Sequence, residues 1–140
     1  MDDRLKHLIA VLEGEDVTEK IRVIQEGGDS GDPGVIEVLL PVLGDENNDL
    51  RQTAVIALGQ IGQKHDFPFD ALMPLLADAD DAVRQTVSHT LTELGARVVI
   101  PLIDALQHPD STVRGAVADL LGEIQDERAF EPLLDGYRTD

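Results

Sequence analysis

Apolar and polar positions along this chain fall into a rhythm that is written three times. The stretches LRQTAVIALGQIG (residues 50–62), VRQTVSHTLTELG (83–95) and VRGAVADLLGEIQ (113–125) open on Leu50-Arg51, Val83-Arg84 and Val113-Arg114, anchors 33 and 30 residues apart. Counted from each anchor, apolar or small residues stand at +4, +7, +8 and +11: Ala54, Ala57, Leu58, Ile61; then Val87, Thr90, Leu91, Leu94; then Val117, Leu120, Leu121, Ile124. That spacing is one face of a 3.6-residue helix. Three residues before each anchor sits Asn47, Asp80 or Asp110, a side chain suited to accept the free amide hydrogens of a first helical turn. Gly62 and Gly95 follow two of the stripes, where a left-handed C-cap favours glycine.

A second series of shorter apolar runs lies between these helices: VIEVLLPVL (35–43), FDALMPLL (69–76), VVIPLIDAL (98–106) and AFEPLLDGY (129–137), each with a proline. Pro101 and Pro132 fall in a first turn, where a missing N–H costs nothing, whereas Pro41 and Pro74 fall further in and predict kinks. LKHLIAVL (5–12) and, after a cap at Asp16, VTEKIRVIQE (17–26) add one more pair, and GGDSGDPG (27–34) reads as the longest loop. No run alternates with period two over the length of a strand, so no sheet is expected. The expectation is an all-α single domain, 1–140, of about nine helices. Its units are approximately 1–27, 33–63, 67–95 and 97–125, with a last helix at 127–138.

A hairpin with one apolar stripe cannot cover it alone, so units that stack must share the same stripe. The pattern Asp-x-x-Val-Arg, then a small-apolar helix, Gly, and a short helix with Pro resembles the HEAT repeat, in particular the short variant of phycobilin (phycobiliprotein chromophore) lyases. The match is good over 47–138 and rests only on helix pattern over 1–46. The resemblance implies a right-handed α-α superhelix, a solenoid of about four HEAT-like hairpins plus a terminal helix, with the anchor helices lining a concave side. It also implies a structural ladder of Arg51, Arg84 and Arg114 with Asp80 and Asp110, each arginine bridging to the inter-helix loop of the next unit.

On the same helical wheel, positions +2, +5, +6 and +9 lie opposite the buried stripe. They are Gln52, Val55, Ile56, Gly59; Gln85, Ser88, His89, Thr92; and Gly115, Ala118, Asp119, Gly122, of which only Asp119 is charged. An exposed strip that keeps Val55 and Ile56 beside uncharged neighbours reads as an interface. Its candidate partner-binding residues are Gln52, Val55, Ile56, Gln85, Ser88, His89, Thr92 and Asp119. The occupant is another protein or, alternatively, a second copy of this chain; the third reading is that short units pack deeper than the wheel assumes and the strip is simply buried.

Charge changes this picture most. With 28 acidic and 11 basic residues the formal charge is −17, which repels nucleic acid and anionic membranes and steers basic surfaces inwards. Salt adaptation or plain solubility would account for the same excess. No cysteine and no Trp are present, which removes disulfides, thiolate chemistry and much of the aromatic surface needed to stack bases. The first residues predict an amphipathic helix rather than a signal peptide, and no apolar run is long enough for a membrane span, so a soluble, cytoplasmic protein is expected.

Catalytic patterns are weak throughout. His7, His65, His89 and His108 form no i,i+4 pair, so no metal is expected. Deoxyhypusine hydroxylases, which resemble HEAT repeats, carry His-Glu pairs just after the repeat arginine; here those places hold Gln52-Thr53, Gln85-Thr86 and Gly115-Ala116. Ser88 and His89 are helix neighbours whose side chains diverge. Asp78, Asp80 and Asp81, or Asp29 and Asp32, lack the spacing of a dedicated calcium loop and suit turns and caps. GGDSGDPG lacks the ending of a phosphate-binding loop. The reading is a non-enzymatic protein-interaction scaffold without cofactors; the alternative is a subunit or relative of a phycobilin lyase.

Overall fold

The computed structural model describes residues 2–124, and every regular element among them is helical. The helix expected at 127–138, with Pro132, lies outside the described residues. Among the described residues seven α-helices succeed one another: α1 (Asp3–Leu12), α2 (Val17–Ser30), α3 (Ile36–Leu39), α4 (Asn48–Gly62), α5 (Asp81–Leu94), α6 (Val99–Ala105) and α7 (Ser111–Ile124). The chain divides into two compact units, Met1–Phe67 and Pro68–Asp140. In the first, α1 packs on α2, α2 on α4, and α4 on the helical stretch 33–44. In the second, α5 packs on the tight helix Phe69–Ala77 and on α7, while α6 packs on α7 and on Phe69–Ala77.

Local chemistry sets the ends of these helices. Asp16 accepts the Glu19 amide at 3.1 Å, Asn47 those of Asp49 and Leu50 at 2.9 and 3.1 Å, Asp80 that of Val83 at 3.1 Å and Asp110 that of Thr112 at 2.8 Å. Asp2 and Asp32 cap in the same way ahead of α1 and of the turn at 33–35. Each bond satisfies an amide that no carbonyl within its helix can reach. The prolines act as their lack of an N–H requires: Pro41 and Pro74 lie in 3-10 stretches, Leu40–Gly44 and Phe69–Ala77, and Pro101 lies in the first turn of α6. On α2, Arg22 lies between Glu19 and Glu26. The Glu19 hydrogen bond, and then both negative charges, hold its guanidinium above the usual arginine range.

The stripe read from the anchors is the core. All its members in α4 and α5 are buried, as are Val117, Leu120 and Leu121, with Ile124 half-buried at the end of the described chain. Thr53 and Thr90 are buried as well, and the Thr53 hydroxyl donates to the Asp49 carbonyl at 2.7 Å. Among the described residues no buried side-chain polar atom lacks a hydrogen-bond partner.

The repeat arginines are structural, each bonded to the loop that precedes its own helix. Arg51 donates to the carbonyls of Asp45 and Glu46 at 2.8 and 3.2 Å, Arg84 to that of Asp78 at 2.6 Å, and Arg114 to those of His108 and Pro109 at 2.8 and 3.0 Å. Each therefore reaches back to the loop that leads into its own helix, six residues upstream. The residue at that upstream position also braces the loop, accepting the amide two residues on: Asp45 from Asn47 at 2.8 Å, Asp78 from Asp80 at 2.9 Å, and His108, through Nδ1, from Asp110 at 3.0 Å. An Asx-type turn, a helix cap and an arginine clamp are thus one compact motif, with histidine in place of aspartate in its third copy.

Two glycine expectations are corrected. The stretch 27–34 is not all loop: α2 runs through Gly27, Gly28 and Asp29 to Ser30, and Gly31, at φ 68°, ends it in the left-handed conformation. Gly28 serves close packing, because a Cβ there would lie 2.8 Å from the Cα and Cβ of Ala57 on α4. Gly62 is not a left-handed cap, since α4 ends at Gln63 with φ −64°; Gly95 does take a positive φ of 56°.

Two stability outcomes follow. Gly28→Ala should destabilise the chain by about 1–3 kcal/mol through overpacking at Ala57, whereas Gly44→Ala, with open space around it, should stay within about 0.5 kcal/mol of wild type. Urea unfolding followed by circular dichroism separates the two. Arg84→Met keeps the stem and removes the clamp, and should cost about 1–3 kcal/mol in the same assay.

Candidate functional site

The geometry of α5 and α7 begins from their buried stripes. Val83, Val87, Leu91 and Leu94 turn one side of α5 into the second unit, and Val113, Val117, Leu120 and Leu121 do the same for α7. Two stripes so anchored leave the flanks of neighbouring helices facing each other across a groove of about 370 Å³. Ser88, His89 and Thr92 of α5 form one wall; Ala116, Asp119, Leu120 and Glu123 of α7 form the other wall and the floor. Four of the residues read from the sequence, Ser88, His89, Thr92 and Asp119, are therefore brought together.

Their chemistry is polar, above a partly apolar floor. The Thr92 hydroxyl donates to the Ser88 carbonyl at 2.9 Å, one turn back along α5. His89, 75% exposed in its side chain, pairs through Nε2 with Glu93. Asp119 and Glu123, a turn apart on α7, make no hydrogen bond or ion pair with a described residue. Two carboxylates at i,i+4 repel each other and favour a cation between or beside them. Among the described residues no group of three or more His, Asp or Glu stands close enough to hold a metal ion.

The equivalent pair in the first unit is closed. There α2 and α4 meet at Gly28 and Ala57, and the Gln60 amide donates to Asp29 Oδ1 at 3.0 Å. Gln60 stands at +10 from its anchor, the position that holds Glu123 on α7 and Glu93 on α5. The same register is thus a sealed seam in one unit and an open, acidic groove in the other.

The remaining candidates stand elsewhere. Val55 is 0% exposed and belongs to the core, which corrects its placement on an exposed strip. The reason lies in α4 itself, which carries apolar or small residues nearly all round and is enclosed accordingly; Gly59 is buried with it. Ile56 is 47% exposed, as expected, and Gln52 is half-buried. Gln85 is exposed and donates to Asp81 Oδ2 at 2.9 Å, within its own first turn. Sequence reasoning missed Glu93 and Glu123, because one stripe was applied to every helix. A stacked helix instead shows its neighbour a leading flank on one side (+3, +6, +10) and a trailing flank on the other (+5, +6, +9), and +10 was visible as the position next to +6 on the wheel. Ile100, 51% exposed on α6, was also missed.

Paired substitutions check the two placements. Val55→Asp should cost several kcal/mol by burying an unpaired polar group, while Ile56→Asp should change stability by less than about 0.5 kcal/mol. Thermal unfolding of the two variants side by side reads the difference.

Comparison with known proteins agrees with this architecture. No match is found among curated proteins. Among solved structures, the chain is similar to an engineered protein from the Northeast Structural Genomics Consortium. The TM-score is 0.63 at 20% identity, over 97% of this chain and 68% of that one. A second engineered protein from the same consortium matches at TM-score 0.60 and 20% identity, over 97% of this chain and 41% of that one. At such identities the likeness is one of fold alone. Sequence comparison finds HEAT repeats over residues 5–69 and again over 69–140, and reaches the repeat family without its phycobilin-lyase variant. Helical hairpins of one grammar, a clamped loop before each anchor helix and two family matches that together span nearly all of the sequence make this chain a member of the HEAT-repeat family.

Proposed function

We propose that the chain is a non-enzymatic interaction scaffold whose α5–α7 groove holds a basic segment of a partner protein. The observation that carries this reading is the contrast between the two helix pairs. Where α2 and α4 are sealed by Gly28, Ala57 and the Gln60–Asp29 bond, α5 and α7 leave Asp119 and Glu123 without a partner among the described residues, above a floor that includes Ala116 and Leu120. Carboxylates beside apolar surface suit lysine or arginine, whose stems cover the floor while their heads meet the rim. A net charge of −17 raises the encounter rate with such a partner. Exposed Ile56 supplies a separate apolar contact, in place of the Val55–Ile56 pair expected from the sequence.

The test compares capture from lysate of the source organism by wild type and by the double variant Asp119→Lys, Glu123→Lys, with capture read by mass spectrometry. A partner rich in lysine and arginine should be enriched by wild type. It should bind the variant at least tenfold more weakly, about 1.4 kcal/mol, and wild type more weakly as salt is raised. Equal recovery by both proteins removes the groove from the interface, and recovery of the chain itself reassigns it to self-association.

A further inference from the structure

The second unit has another groove, in the other helix layer, made by the short segments between the anchor helices. It holds about 350 Å³ between Phe69–Ala77 and α6 and is lined by Asp70, Met73, Pro74, Pro101, Asp104 and Ala105, with Gln107 and His108 just after α6. Met73 and Ala105 are buried and form an apolar floor, Pro74 and Pro101 stand on opposite walls, and Asp70 and Asp104 are exposed, one on each segment. Neither carboxylate has a hydrogen-bond or ion-pair partner among the described residues.

We propose that this groove is a second docking site, independent of the α5–α7 groove, and that its occupant is an arginine side chain presented by an extended segment of a partner protein. The two prolines lack N–H groups, so the walls at those positions offer no backbone donor to an anion. Beside the Gln107 amide and the His108 ring, the groove offers acceptor capacity in two carboxylates on separate elements, over a floor of methionine and alanine. A guanidinium presents five N–H donors in a planar fork and can address two carboxylates at once, while its stem covers apolar surface. Methionine adapts to such a stem better than a branched side chain does. The volume is near the lower end for ligand sites, which suits one long side chain with its flanking backbone.

The test titrates the ¹⁵N-labelled full chain with the capped peptide acetyl-Ala-Ala-Arg-Ala-Ala-amide and, separately, with its twin carrying neutral citrulline in place of arginine. The arginine peptide should shift amide resonances at residues 70–76 and 101–108. The citrulline peptide should bind at least tenfold more weakly. Asp70→Asn with Asp104→Asn should abolish the shifts without changing the melting temperature, and Asp104→Asn alone should weaken them. Asp119→Lys with Glu123→Lys should leave them in place, which separates this groove from the other. The proposal is overturned if citrulline binds as well as arginine, if the shifts survive in the Asp70→Asn, Asp104→Asn variant, or if the same resonances move with protein concentration alone, because a second copy of the chain then fills the groove.

Discussion

Each hairpin of this chain has more apolar surface than its own two helices can cover, and the rest of the structure answers to that deficit. Ala54, Leu58 and Ile61 on α4, like Val87, Leu91 and Leu94 on α5, are buried only because neighbouring helices stand against them. Register therefore matters more than the identity of any one residue: the stripe must recur at fixed places after each loop. The clamp of Arg51, Arg84 and Arg114 onto carbonyls six residues upstream holds each anchor helix to its loop, and the cap at Asn47, Asp80 or Asp110 sets where the helix begins. Packing, capping and clamping are parts of one constraint.

That constraint explains what could be read without coordinates. The helices at 50–62, 83–94 and 113–124, the capping residues and the buried stripe were all legible, because a period of 3.6 residues repeated three times is a strong signal. Less legible was whatever depends on how closely two helices approach. GGDS looked like loop because glycine is usually a breaker, yet Gly27 and Gly28 continue α2, and Gly28 brings the helix against Ala57. Val55 looked exposed because a wheel has only an inside and an outside, whereas α4 is enclosed on more than one side. Glu123 was passed over because the two flanks of a stacked helix meet different neighbours. The structural role of the arginines was legible, whereas their grip on the carbonyls six residues upstream was not, since a side chain's type does not name its acceptor.

The acidic composition acquires a division of labour. Asp2, Asp16, Asp32, Asp80 and Asp110 cap helices or turns, and Asp45 and Asp78 brace loops. Asparagine or serine could serve at many of those places, so their charge exceeds what capping and bracing require. Asp70, Asp104, Asp119 and Glu123 neither cap nor brace. They line grooves and meet no partner among the described residues. Besides carboxylates paired along their own helices, such as Glu19, Glu26 and Glu93, acidity is thus of two kinds, one woven into the turns and one presented on the surface.

The arginine clamp grips main-chain oxygens, and that choice leaves the loop side chains at liberty to change. The middle residue of the three clamped loops is Glu46, Ala79 or Pro109: an acid, a small residue and an imino acid at one structural address, all exposed. A grip on main-chain oxygens makes no demand on the side chain at this middle position, so that residue can vary while the hold of the arginine on its loop stays as it is.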